Sequence, residues 1–394
     1  MVQREVVVLS GVRTAIGDYG GALKDIAPTA LGASVVREAV TRAKIDAASV
    51  GHVVFGSVIH GEARDMYLSR VAAIDGGLAA GTPCLTVNRL CGSGLQAIVS
   101  ASQHILLGDC DITLAGGAES MSRAAYIMPA ARWGQRMGDI GVIDAMTGAL
   151  HDPFGHGHMG ITAENIAAKY DISREEQDAF ALESHHRAEK ALDAGHFTSQ
   201  IVGIELKGRK GTVVFDTDEH VRRGMKIEDL QKLRAAFKKD GTVTAGNASG
   251  LNDAAAAVVL ADRAAAEKQG LKPLARLVAY AHAGVEPQLM GLGPIPAVKR
   301  VFEKAGLKPA DMDVVESNEA FAVQAMAVTR DLGLDPAKVN PNGGAVALGH
   351  PIGATGCILT VKAIYELHRT QQRYALVTMC IGGGQGIAAI FERM

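Results

Sequence analysis

Residues 84–109 read CLTVNRLCGSGLQAIVSASQHILLGD, and their order decides the fold class. CLTV is a short β-like run, Gly92 and Gly94 lie in a turn, and Leu95, Ile98, Val99, Ile105 and Leu106 then recur at helical spacing. The stretch predicts a strand that delivers the chain through a glycine-bearing turn into a helix starting close to Cys91. Upstream, strand-like runs at 5–10 and 50–58 flank a helical period at 29–42. This alternation predicts βαβ units and a covered, largely parallel sheet.

The same order returns in the last third of the chain. Residues 274–282 read as a strand, 295–304 as a helix, 312–317 as a strand and 319–331 as a helix. NPNGGAVALGHPIGATGCILTVKAIYEL (340–367) then gives a turn and a helix, matching the Cys91 block. After each of these helices a strand carries a glycine cluster, CDITLAGGAES (110–120) in one half and YALVTMCIGGGQG (374–386) in the other. Two copies of one α/β unit are the reading. Between them, 121–250 is loop-rich, with one polar helix at 174–194 and a basic stretch that includes Lys207, Arg209, Lys210, Arg222, Arg223 and Lys226. The expected division is 1–120 with 251–270, an inserted loop domain at 121–250, and 271–394, with the strand at 253–261 rejoining the first copy.

A chain of 394 residues is long enough for more than one core, since domains run to about 100–200 residues. Forty basic against forty-two acidic residues leave a net charge of −2, which offers no global field for nucleic acid or an anionic membrane. The N-terminus, MVQREVVVLSG, lacks a secretory pattern, and no apolar run reaches the roughly 18 residues of a membrane span. Five scattered cysteines without CxxC spacing argue against a disulfide framework or structural zinc. A soluble enzyme in a reducing, cytoplasmic setting is expected.

Cys91, at a helix start, is placed where unpaired N–H groups favour a thiolate, although a lone cysteine also fits a buried small residue. His350, within GGAVALGHPIGATG (343–356), is held by a backbone-shaped loop, and an imidazole beside a thiol is its usual activator; a hydrogen-bonded core histidine is the alternative. Cys380 ends a strand ahead of three glycines whose N–H groups can converge on an oxyanion, and its place in the second copy suggests a base rather than a second nucleophile. Asn318, between a strand end and a helix start, fits an N-cap as well as a catalytic group. His156 and His158 form an HxH pair without a third ligand, so no metal is expected. His185 and His186 lie on the polar helix and read as solvated.

NRLCGSGLQA (88–97), SNEAFA (317–322), GGAVALGHPIGATG and VTMCIGGGQG (377–386), in that order, resemble the thiolase family. HMGITAEN (158–165) and TAGNASGLNDAAAA (244–257) extend the resemblance to essentially the whole chain, most closely to the bacterial biosynthetic acetyl-CoA acetyltransferase or β-ketothiolase type. It implies a duplicated α-β-α-β-α layered α/β fold and a reversible Claisen condensation of acyl-CoA thioesters through an acyl-Cys91. In that scheme His350 accepts the Cys91 proton and Cys380 takes a methyl proton from a second acetyl-CoA. His350 and a water held by Asn318 serve the enolate oxygen, while the N–H groups of Cys91 and Gly382 serve the tetrahedral intermediate. Arg222 and Ser249 match positions near the nucleotide and pantetheine. Leu150, His158, Met159, Ala245, Ala320 and Phe321 match the pantetheine and acyl tunnel. Coenzyme A is a substrate or product with no tightly bound cofactor, and relatives are commonly homotetramers. Asp229 and Ser317 depart from the usual serine and alanine. A degradative thiolase of broader chain length and a non-catalytic acyl-CoA carrier are the alternatives. A ketoacyl synthase, with two histidines, is disfavoured because Asn318 occupies the second histidine's place.

Overall fold

The computed structural model describes residues 4–208 and 211–394. Arg209 and Lys210 of the basic stretch lie outside them. In the first half the elements run β1 (Val6–Thr14), β2 (Gly17–Asp18), α1 (Pro28–Ala43), β3 (His52–Gly56), α2 (Leu68–Asp75), β4 (Cys84–Val87), α3 (Ser93–Leu107) and β5 (Ile112–Ser120). The middle carries β6 (Tyr126–Ile127), β7 (Ile143–Asp144), α4 (Ala145–Ala149), α5 (Met159–Tyr170), α6 (Arg174–Asp193), β8 (Ile201–Val202), β9 (Ile204–Gly208), β10 (Gly211–Phe215) and α7 (Ile227–Gln231). Then come β11 (Asn252–Asp262), α8 (Arg263–Lys268), β12 (Ala275–Gly284), α9 (Pro294–Ala305), β13 (Val314–Ser317), α10 (Ala322–Asp331), α11 (Ala345–Leu348), α12 (Thr355–Thr370), β14 (Tyr374–Ile381) and β15 (Gln385–Arg393).

The main sheet has the order β13-β14-β15-β12-β1-β11-β5-β3-β4, so the two halves meet where β1 pairs β12. That junction is narrow, with only Val7↔Arg276 and Val8↔Ala275 in register. Either side of it the order mirrors itself, and the counterpart of β4 shrinks to a lone bridge between Val315 and Val339. The sheet is mixed, which corrects the largely parallel expectation. β3–β4, β3–β5 and β13–β14 are parallel, whereas β1–β11, β11–β5, β12–β15 and β14–β15 are antiparallel. The closing strand of each half returns against its neighbour, a reversal that strand patterning alone does not encode.

Alternating side chains build the layers. Along β11, Ala254, Ala256, Val258 and Leu260 face a central core, while Ala255, Ala257, Val259 and Ala261 face an outer one. The central core is filled by α3 and α12, the equivalent helices of the two halves. The outer cores are filled by α1 and α2 on one side and by α9 and α10 on the other. Five layers, α-β-α-β-α, follow. A Cβ on Gly94 would sit 2.8 Å from the Cys357 nitrogen, and one on Gly356 would sit 2.3 Å from the Leu95 nitrogen, so glycines let α3 and α12 touch backbone to backbone. No helix among the described residues is long and apolar enough to cross a membrane.

Candidate active site

The chain reaches Cys91 through a strained turn. Leu90 has φ +44°, a left-handed conformation that costs a non-glycine residue about 1–2 kcal/mol. Three bonds hold it: Leu90 N–H donates to Asn88 Oδ1 (2.9 Å), Arg89 N–H to Ser93 Oγ (2.8 Å), and Ser93 Oγ to the Leu90 carbonyl (2.7 Å). Cys91 lies just ahead of Gly92, the N-cap of α3. The backbone N–H groups of Gly382 and of Cys91 itself point at its sulfur, yet burial dominates and pushes the thiol up to about 11. The two amide dipoles act in the direction the helix start favours, toward the thiolate, but only partly offset the effect of burial.

His350 is set by its neighbours from both halves. Its N–H donates to Asn252 Oδ1 (2.8 Å), and Asn252 belongs to β11 of the first half. Thr355 Oγ1 donates to the Pro351 carbonyl (2.9 Å), so it receives the Nδ1 proton of His350 across 2.7 Å. That assigns the Nδ1–H tautomer and leaves the lone pair on Nε2, toward which Asn318 Nδ2 donates at 3.4 Å. Burial lowers the imidazole to about 4, so it rests neutral.

Beneath this turn, Glu119 of β5 accepts the N–H groups of Val58, Ile59 and Gly353 at 2.9–3.1 Å. Burial raises Glu119 to about 8 despite those bonds. A Cβ on Gly117 would lie 2.1 Å from the Gly353 carbonyl oxygen, so this glycine lets the His350 loop of one half seat on the sheet of the other.

Asn318 is fully buried and four residues ahead of α10, whose N-cap is Phe321. The N-cap alternative is thus excluded. The expected helix at 319–331 begins only at Ala322 because Glu319 turns inward to accept from Ser184 Oγ, Asn340 Nδ2 and the Val346 N–H. The Asn318 Oδ1 has no protein partner among the described residues. Cys380, the penultimate residue of β14, is also fully buried; burial, then the neighbouring Cys91, pushes its thiol up.

A cavity of about 400 Å³ gathers these groups. Cys91, His350, Cys380 and Gly382 line its inner end, and Leu150, His158, Met159, Arg222, Ala245, Ser249, Ala320 and Phe321 line it as well. Asn318 stands one layer behind, against His350. Its walls otherwise include Met121, Met146, Met290, Phe237, Ile352 and His220, none of which the sequence reading singled out. Phe237 stacks on His158 at 4.7 Å between centroids, and that pairing has no signature in local sequence. His158 Nδ1 accepts from Gly160 N–H (3.0 Å), so the ring serves as N-cap of α5.

Family patterns for the thiolase N-terminal domain and the thiolase C-terminal domain match residues 6–264 and 271–393. The chain belongs to the thiolase family. It is 69% identical over 392 residues to beta-ketothiolase BktB of Cupriavidus necator, covering 99% of this chain and 100% of that one. The crystal structure of the Bacillus anthracis acetyl-CoA acetyltransferase superposes with a TM-score of 0.97 at 45% identity, covering 100% of this chain and 99% of the other. Human mitochondrial 3-ketoacyl-CoA thiolase in complex with CoA gives 0.96 at 45% identity, with 100% and 99% covered.

One other expectation for this thiolase, at His185, falls out differently. His185 is buried rather than solvated, lowered by burial to about 4, and accepts the Arg222 N–H at 3.3 Å; its helix is covered on the side that faces the loop at 220–226. His186 is exposed as expected. Arg223 is paired with Asp193 (2.6 Å), away from the cavity that Arg222 lines. Asp229 caps α7 through the Lys226 N–H (3.2 Å) and stands on the surface. Among the described residues no group of three His, Cys, Asp or Glu is placed to hold a metal ion.

Proposed function

We propose that this thiolase is an acetyl-CoA C-acetyltransferase that condenses acetyl-CoA with a second short-chain acyl-CoA, reversibly, through an acyl group on Cys91. The observation that carries this is the meeting, in one cavity, of the Cys91 sulfur, two N–H groups aimed at it, an imidazole with its lone pair on Nε2, and a second thiol.

The resting protonation states dictate the order of steps. Cys91 is a thiol, so attack on a thioester carbonyl needs His350 Nε2 to take its proton as the C–S bond forms. The carbonyl oxygen then gains charge beside the N–H groups of Cys91 and Gly382. Collapse expels coenzyme A as a thiolate, and Cys380, also a thiol at rest, protonates it. Cys380 is left as a thiolate whose high proton affinity suits it to remove a weakly acidic methyl proton from the next acetyl-CoA. The enolate oxygen faces the imidazolium of His350 and a water on Asn318 Oδ1. Carbon–carbon bond formation at the acyl-Cys91 carbonyl gives a second tetrahedral intermediate, whose collapse frees Cys91 to recover its proton from His350. All three groups end as they began.

Arg222 and Ser249 would take the nucleotide and pantetheine of coenzyme A, supported by their place on the wall of the cavity that holds Cys91. Coenzyme A enters as substrate, without a tightly bound cofactor. The division at 121–250 is supported by the lack, among the described residues, of any long main-sheet strand there, with only β8 joining β1. A homotetramer is supported by Trp133 and Met137, 89% and 88% exposed on a segment rich in apolar residues. Five free cysteines support a cytoplasmic setting. Thiolysis of acetoacetyl-CoA by free CoA, followed by loss of acetoacetyl-CoA absorbance, tests the activity; no turnover under conditions where the chain is folded would sink it.

A further inference from the structure

Outside the reacting groups, the polar residues on the cavity wall are Thr147, His158, His220, Arg222 and Ser249, and the two histidines present opposite faces. His158 Nδ1 accepts the Gly160 N–H, so its neutral ring carries the proton on Nε2 and acts as a donor. His220 is built the other way. Its Nδ1 lies 2.5 Å from Oδ1 of Asp18, whose carboxyl is held below its ordinary range chiefly by that bond. An ionised Asp18 only accepts, so Nδ1 carries the hydrogen, and the neutral ring keeps its lone pair on Nε2. Among the described residues Nε2 makes no hydrogen bond, and it lies on the side toward Gly250, where a Cβ would come within 2.8 Å of it. The dyad is tied to the reacting end: Asn252 Nδ2 donates to the Gly17 carbonyl (3.1 Å) and toward Asp18 Oδ1 (3.4 Å), while its Oδ1 holds the His350 N–H.

A coenzyme A arm threading from Arg222 to Cys91 carries two secondary amides through a mostly apolar channel. Each buried amide N–H needs an acceptor, and leaving one unmet is costly. We propose that His220, fixed as an acceptor by Asp18, receives an amide N–H of the pantetheine arm, making it a substrate-binding residue that reads the arm rather than the acyl group. The assignment rests on the thiolase chemistry proposed above.

The test compares two acetyl donors in single-turnover acetylation of Cys91: acetyl-pantetheine, which has both amides, and S-ethyl thioacetate, which has none. The readout is the ratio of their second-order rate constants. His220→Phe should lower this ratio about tenfold, the scale of one lost buried hydrogen bond. His220→Gln, which keeps an acceptor, should restore most of it. A ratio equal to the parent's in His220→Phe overturns the proposal, as does a lowered ratio that Gln fails to restore, which would mean packing. Because the ratio divides out any general loss of folded or reactive enzyme, it stays readable in a damaged variant. Failure of the parent chain to take acetyl from acetyl-CoA would instead overturn the reaction itself.

Discussion

The hydroxyl of Thr355 lies 2.7 Å from Nδ1 of His350, and because that hydroxyl spends its own proton on the Pro351 carbonyl it fixes which imidazole nitrogen is free. Thr355→Val would leave a buried Nδ1–H without an acceptor and release the ring to the other tautomer. The expected outcome is a fall in kcat for acetoacetyl-CoA thiolysis of about tenfold or more, with Thr355→Ser close to the parent. Equal kcat in the valine variant would mean that the tautomer is set elsewhere.

Cys380→Ser separates the two halves of the cycle. Acetylation of Cys91 should retain much of its rate, while washing of solvent deuterium into the acetyl methyl group should fall by about a thousandfold, since a buried serine hydroxyl is a far poorer carbon base once ionisation is required. Exchange at the parental rate would remove Cys380 from that role.

Alkylation of Cys91 by iodoacetamide should be pH-dependent in a definite way. The thiol stands at about 11, above the ordinary value of about 8.5, so its thiolate fraction rises as pH rises and stays far from saturation near neutrality. Peptide mass spectrometry should find the rate climbing about tenfold per pH unit from roughly pH 7 to 10. A plateau beginning near pH 7 would indicate a resting thiolate–imidazolium pair instead.

Gly117→Ala tests how the two halves share the site. The added methyl would meet the Gly353 carbonyl oxygen at 2.1 Å, backbone against backbone, with no flexible side chain to yield. Destabilisation of roughly 1–3 kcal/mol is expected in denaturant melts, with activity falling further as the His350 turn is displaced. Parental stability and kcat would show that the loop has freedom the packing denies it.

Cys91, His350 and Cys380 were legible in the sequence because each sits where a strand or helix gives way to glycine, a local pattern that repeats in both halves. The five layers were implied by the family resemblance, and runs such as 254–261, apolar at every position, fit a strand covered on both faces. What escaped depends on contacts distant in sequence. The antiparallel return of β11 onto β5 is a tertiary pairing across the segment at 121–251, whereas β15 returns onto β14 through the three-glycine turn at 382–384. His185 was misread because a helix polar in composition is nonetheless covered where it meets the loop carrying Arg222. The start of α10 slipped by three residues because Glu319 is claimed by Ser184 and Asn340. Glu119 has no signature in local sequence, because the Gly353 N–H it accepts comes from the other half, 234 positions away. The strain at Leu90, by contrast, is held locally, by side chains at 88 and 93 closing over it.

The central claim is that Cys91 carries the acyl group between the two coenzyme A molecules. Incubation with acetyl-CoA, rapid acid quench and peptide mapping test it directly. The account predicts one acetyl group on the peptide containing Cys91, lost when free coenzyme A is added before the quench. An unlabelled Cys91, or a label that coenzyme A cannot remove, would contradict it.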